Sequence, residues 1–242
     1  MKLLIIRHGD PDYEKDSLTE KGWREAALLA ERMSKETVTD FYVSPLGRAR
    51  DTASLTLEKM GRRALECDWL REFPPRIRRP DLASGTVNAW DWLPQDWTED
   101  PVFFDKDRWA SNAVMREGHV GEMYEKVVRG LDRILAEHGY IRDGGYYRTE
   151  KGNRDVLAFF CHFGVECVLL SHLMNVSPMI LWHHMCAAPS SVTTAYTEER
   201  REGKAIFRVS SFGDISHLYA GEEEPAFAAR FCETFDSMDR HD

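Results

Sequence analysis

The amino-acid sequence predicts an α/β fold, a three-layer αβα arrangement around a mostly parallel sheet with one antiparallel edge strand and an inserted lid region. Three observations predict it. Short apolar runs alternate with segments of helical periodicity, the pattern of strand–helix–strand units. "KLLIIRH" (2–8) and "DVLAFFCH" (155–162) are apolar without polar alternation, as strands covered on both faces are. Between Phe73 and Gly118 the rhythm gives way to Pro, Arg, Trp and Asp, too long a stretch for a plain connection inside a compact domain.

The elements follow in order. After the first strand, Thr19 is placed to cap a helix in which Trp23, Ala26, Ala27, Ala30 and Met33 recur at helical spacing. "DFYVS" (40–44) reads as a second strand; Ser44 and Pro45 read as a cap and first position of a helix running to Gly61. "ALEC" (64–67) is a third strand and "AIFRVSSF" (205–212) the last, at an edge. Residues 74–118 are taken as a lid inserted into a single domain spanning 1–242. Trp90, Trp92, Trp97 and Trp109 inside it have no clear period, and either cover a ligand or form a satellite core. A helix over 120–137 ends near Gly139, and "DGG" (143–145) marks a turn. In the tail, Phe227, Phe231, Phe235 and Met238 share one helical face, which is expected to dock on the chain's own core.

Composition narrows the function. The chain has 242 residues, and 32 basic against 41 acidic residues leave a formal net charge of -9. That balance disfavours nucleic acid or an anionic membrane as partner, since both are read through clustered Lys and Arg. The apolar run before Arg7 is only four residues, Leu3 to Ile6, too few for a signal peptide, and no stretch approaches the ~18 needed for a membrane span. A cytoplasmic protein is expected. Cys67, Cys161, Cys167, Cys186 and Cys232 are scattered and odd in number, which suits reduced thiols.

The chemistry gathers at strand ends. In parallel α/β sheets ligands bind at the carboxyl ends of the strands, where Arg7-His8 and Cys161-His162 both lie. The second helix opens with "SPLGRARDT", so Arg48 sits in its first turn against the helix dipole. An anion there would relieve the conflict, and backbone N–H groups with two guanidinium forks suit a phosphate. The His and Cys residues between 161 and 186 match no zinc spacing such as CxxC or HExxH. No metal and no cofactor are expected.

"RHG" closing the first strand, "LTEKGWREA", "SPLGRARDTA", "LREF" and "CHFG", in that order, resemble the histidine phosphatase superfamily, also called the phosphoglycerate mutase-like family. The likeness covers roughly 1–73 and 155–220. It implies that Arg7, His8, Arg48 and His162 form a phosphate pocket, with His8 as the phosphorylated residue and Glu72 as proton donor. It further suggests that Ser191, in "SSV", touches phosphate. Tyr13 is expected at the entrance beside Asp10 and Asp12, and Arg76, Arg78 and Arg79 of "RIRRP" are expected to bring positive charge from the lid to a second anionic group. Where phosphoglycerate mutases continue "RHGxSxWN", this chain reads "RHGDPDY"; the missing Trp-Asn pair favours a phosphatase over a mutase.

Phosphoryl transfer needs a nucleophile, charge neutralisation and a proton for the leaving group. A neutral His8 would attack, its pKa lowered by Arg7, Arg48 and, if protonated, His162. The expected function is a metal-independent phosphomonoesterase acting through phosphohistidine on a small phosphorylated metabolite such as a sugar phosphate. The alternatives are a phosphoglycerate-type mutase and a catalytically silent phospho-ligand binder. The expected partner is a small phosphate ester, with a homodimer left open.

Overall fold

In the computed structural model, which describes residues 1–227 and 234–237, the opening apolar run forms strand β1 (Lys2–Arg7). Its successive side chains enter two different cores: Leu3 and Ile5 face one, Leu4 and Ile6 the other. Burial on both faces is why the sequence shows no polar alternation. A short flap, β2 (Pro11–Asp12) paired with β3 (Ser17–Leu18), leads to α1 (Glu20–Met33). Thr19 caps α1 as predicted, its hydroxyl accepting from Gly22 N–H. Gly22 is required by close approach, since a Cβ there would lie 2.2 Å from Asp10 O. The start of α1 thereby packs directly on the loop that follows His8. Trp23, expected inside, lies at the margin of the buried stripe and is exposed.

Strand β4 (Asp40–Val43) is followed by α2 (Gly47–Met60) and β5 (Ala64–Glu66). Gly61 caps α2 as predicted, but its start corrects the sequence reading. The helix begins at Gly47, two residues later than expected, and Leu46 rather than Ser44 is the N-cap. Ser44 Oγ serves other partners, His162 Nε2 at 2.8 Å and Leu46 N–H at 3.2 Å.

Segment 74–118 contains the pair β6 (Arg76–Ile77) and β7 (Val87–Asn88), then short helices α3 (Pro94–Trp97) and α4 (Ala113–Glu117). Trp92, Trp97 and Trp109 are buried and continuous with the main core rather than forming a satellite. Trp109 meets Trp182 edge-on with ring centroids 5.6 Å apart, a favoured aromatic geometry. His183 Nε2 accepts from Trp92 N–H while its Nδ1 bonds Met179 O. Both ring nitrogens of that histidine are thus engaged in holding the segment to the fold.

The remaining elements are α5 (Val120–Glu137), β8 (Ile141–Asp143), β9 (Tyr146–Arg148), β10 (Val156–Cys161), α6 (Phe163–Met174), α7 (Pro178–His184), β11 (Val192–Arg201), β12 (Lys204–Asp214) and α8 (Ser216–Ala220). The eight-stranded sheet runs β5-β4-β10-β1-β11-β12-β9-β8. Strands β5, β4, β10 and β1 are parallel; the other half is antiparallel. The antiparallel part is therefore larger than the single strand predicted, and "AIFRVSSF" is interior because β9 pairs with its outer side. Side chains of α1 and α2 fill the core on one face, and those of α5, α6 and α7 the core on the other. This is the α/β architecture the sequence predicts.

Cys67, Cys161 and Cys167 are buried thiols without a disulfide. In the tail, Ala226 N–H donates to Glu25 Oε1 at 3.2 Å. Phe227 is half-buried but Phe235 is exposed, against the expected docking face. Phe231, Met238 and Cys232 lie outside the described residues. Among the described residues no helix is long and apolar enough to cross a membrane.

Candidate active site

Parallel pairing of β1 with β10 sets the centre of the site. Arg7 lies opposite Cys161, and His8 N–H donates to Cys161 O at 3.0 Å. Histidines 8 and 162 thus leave neighbouring strands at the same carboxyl edge, with ring centroids 5.0 Å apart. Both are buried. His8 Nδ1 donates to Gly9 O at 2.7 Å, an assignment that leaves Nε2 with its lone pair for attack. Burial first, then the charges of Arg7 and Arg48, hold the His8 pKa well below 6.5, which favours the neutral ring.

His162 differs from the protonated form considered from sequence. Burial, then His8 and the arginine charges, keep it well below its ordinary value as well. Ser44 Oγ accepts from Leu46 N–H, which directs its own hydrogen to His162 Nε2. The ring proton then sits on Nδ1, a buried atom with no partner. An orphaned donor beside His8 suits an anionic oxygen.

Two guanidinium groups flank the rings. Arg7 is buried, donates through Nη1 to Ala187 O, and lies 5.8 Å from the Phe163 ring. Arg48 Nε points at His8 Nε2 at 3.4 Å, and Tyr13 covers its guanidinium at 5.5 Å. The anion expected at the start of α2 turns out to have a counterpart within the chain. Asp16, in the left-handed region with φ 48°, accepts from Gly47 N–H and from Arg48 Nη1, each at 2.7 Å. One carboxylate therefore caps α2 and fixes the arginine.

Glu72 completes the set. Its Oε1 accepts from Phe73 N–H at 2.7 Å and Val165 N–H at 3.2 Å, which leaves Oε2 for a leaving group. Burial raises its pKa, outweighing those hydrogen bonds and the pull of Arg7 and Arg48. A carboxyl that keeps its proton is what a general acid requires. Gly164 permits this placement: a Cβ there would lie 2.6 Å from Glu72 Oε1 and 2.8 Å from Trp90 Nε1. Gly164→Ala is expected to lower kcat by about tenfold or more through displacement of Glu72. Steady-state kinetics check this, and a change in KM alone would assign the glycine to binding instead.

Arg7, His8, Tyr13, Arg48, Glu72, Asn88, Trp90 and Phe163 line one cavity of about 240 Å³. The model of the histidine phosphatase superfamily (branch 1) matches residues 3–208 of the chain. The chain belongs to the histidine phosphatase superfamily. Among curated members it is 33% identical over 144 residues to a probable phosphoglycerate mutase GpmB of Serratia proteamaculans, covering 56% of this chain and 63% of that one. To the GpmB of Photorhabdus laumondii it is 32% identical over 87 residues, covering 32% and 37%. The chain thus matches less than two thirds of the length of these relatives. Among solved structures it resembles a mycobacterial glucosyl-3-phosphoglycerate phosphatase with VO3, with TM-score 0.56, 20% identity and coverage of 87% and 98%. It also resembles a phosphoserine phosphatase from Entamoeba histolytica with 3-phosphoglyceric acid, with TM-score 0.57, 18% identity and coverage of 90% and 98%. At these identities the likeness speaks for the fold.

The structure brings Arg7, His8, Tyr13, Arg48 and Glu72 together in that cavity, with His162 packed against His8 outside its lining. Arg76, Arg78, Arg79 and Ser191 also fall outside the cavity lining. Arg79 is buried and consumed by Asp81, at 2.6 Å, and by Asp91 O, at 2.9 Å. Arg78 is exposed. Ser191 contributes through its backbone, its carbonyl accepting from Arg7 N–H at 3.1 Å, while its buried Oγ has no partner. The acidic entrance is also absent from the lining, because Asp10 accepts from Thr19 Oγ1 and Asp12 pairs with Lys15. Sequence reasoning missed Asp16, Asn88 and Phe163 as site residues, and left Trp90 open between ligand cover and core. "KDSLT" holds no signal for Asp16, whose role depends on the flap folding back onto α2.

Proposed function

We propose that the chain is a metal-independent phosphomonoesterase that works through a phosphohistidine at His8, on a small phosphorylated metabolite such as a sugar phosphate. The observation that carries this reading is a neutral His8 Nε2 facing Arg48 in the same cavity as Glu72. Arg7, Arg48 and the Nδ1 of His162 neutralise the phosphoryl oxygens as charge shifts onto them. His8 Nε2 forms the bond to phosphorus as the ester oxygen leaves, and Glu72 gives that oxygen its proton. In the second half Glu72, now ionised, takes a proton from water, which displaces His8 and releases inorganic phosphate. The likeness to the GpmB proteins supports a second reading, a phosphoglycerate-type mutase.

Quenching turnover of a radiolabelled aryl phosphate, with chelator present, tests the proposal. Acid-labile, base-stable label on His8 with undiminished phosphate release is expected. Loss of turnover with chelator, or label elsewhere, would overturn it.

The pH dependence follows from the two shifts. The first step needs His8 neutral and Glu72 protonated. His8 is held well below 6.5, so its protonation limits kcat/KM only on the acid side. Glu72 is raised above 4.5, so loss of its proton sets the alkaline limb. A bell-shaped profile is expected whose alkaline limb disappears in Glu72→Gln. A limb that persists in that variant belongs to another group.

A further inference from the structure

Beyond the phosphoryl site, the cavity shows what it can accept as leaving group. We infer that it selects monophosphate esters whose leaving group carries no second anionic group, an aryl or a neutral hydroxylated moiety, and that Asn88 and Trp90 of the insertion set this preference. The inference rests on the phosphatase reading.

Charge makes the case. The lining supplies two guanidinium groups, Arg7 and Arg48, and both lie at the His8 end. Arg48 is held there by Asp16 and aimed at His8 Nε2. The rest of the lining is Tyr13, Asn88, Trp90 and Phe163, with Glu72 as its one acidic group. A carboxylate or second phosphate in that part would lose its hydration and meet aromatic faces and a carboxyl, with no cation to compensate. Burying such an unpaired charge is costly.

The cations nearby in sequence are committed elsewhere. Arg79 is tied to Asp81 and Asp91, Arg71 to Asp68, and Arg78 is exposed outside the lining. Arg76 is exposed and donates to Thr86 O and, through Nη1, to Asn88 Oδ1 at 3.2 Å. That last bond has a consequence for the cavity. With its oxygen used by Arg76, Asn88 has its amide NH2 left to donate, which suits a hydroxyl or ether oxygen.

Trp90 supplies a fixed wall. Its Nε1 donates to Phe73 O at 2.9 Å, and the bare Cα of Gly164 lets the indole seat close to Glu72. The Tyr13 and Phe163 rings share the lining with it. At about 240 Å³ the cavity is below the ~300–1,000 Å³ of ordinary drug-sized sites. It therefore suits a phosphate with one compact group attached.

A matched pair of substrates isolates the charge: phenyl phosphate and 4-carboxyphenyl phosphate differ by one carboxylate. The wild-type chain is expected to favour phenyl phosphate in kcat/KM by about tenfold or more, and Asn88→Arg to narrow or reverse that ratio. Trp90→Ala is expected to reduce kcat/KM for phenyl phosphate more than for glycerol phosphate. Equal or better use of the carboxylated ester by the wild type would overturn the inference. A parallel binding arm uses phenylphosphonate and 4-carboxyphenylphosphonate, which cannot be hydrolysed. If neither ester turns over but phenylphosphonate binds about tenfold more tightly, the phosphatase reading fails and the selectivity stands. Equal binding of the two phosphonates, or binding of neither, overturns the selectivity itself.

Discussion

His8→Ala is expected to reduce kcat/KM for an aryl phosphate by roughly a thousandfold or more, because in the proposed mechanism it removes the atom that bonds to phosphorus. The loss should not extend to phosphate binding. Arg7 is held by Ala187 O, and Arg48 by Asp16; neither depends on the imidazole. Removing His8 also frees Arg48 Nε from its contact at 3.4 Å. Inorganic phosphate should therefore bind the variant as well as the wild type in calorimetry. Retention of activity within tenfold would remove His8 from the mechanism. Loss of phosphate binding along with activity would instead mean that the ring is needed to build the pocket.

The second large effect is expected at Glu72, and it depends on the leaving group. In Glu72→Gln the amide oxygen can still accept from Phe73 and Val165 N–H, the two bonds that fix Oε1 in the native site. What is lost is the proposed proton donor, a contribution of roughly 10²–10⁴ for positioned acids. An alkyl phosphate, whose departing alkoxide must be protonated, should suffer that full loss. Para-nitrophenyl phosphate, whose leaving group departs without help, should suffer far less. An equal fall for both substrates would show that Glu72 shapes the cavity and does not donate the proton.

Much of the fold was legible because burial writes itself into the order of residues. β1 and β10 are buried on both faces, so their apolar runs carry no alternation. Thr19 caps α1 through its own side chain, a bond spanning only three residues. By contrast, β8 and β9 are three residues each, too short to show a period of two. The exposed second half of β11, "TEERR", masks a strand that runs ten residues. A hydrophobic pattern records which side chains are buried, and it is silent where a strand is short or solvated.

The site divides along the same line. Arg7, His8, Arg48, Glu72 and His162 were recognisable because each stands in a short motif at the end of a predicted element or just beyond one. The pairings of the other charged residues were not. Arg79 looked available in "RIRRP", yet Asp81, two residues on, and Asp91 consume it. Asp16 drew no reading from the sequence, yet it holds Arg48 from 32 residues away. Ser44 looked like a helix cap, yet it orients His162 across 118 residues.

The sequence by itself determined that two strands end in His8 and His162, that a helix begins beside Arg48, and that alternating elements build an α/β sheet. These rest on periodicity and local hydrogen bonds, which neighbouring residues decide. Only the tertiary structure decided which charges remain free for a substrate, which tryptophan faces the cavity and which three are core, and how far burial shifts His8 and Glu72. Those depend on distances between segments far apart in the chain, and on the water excluded when they meet.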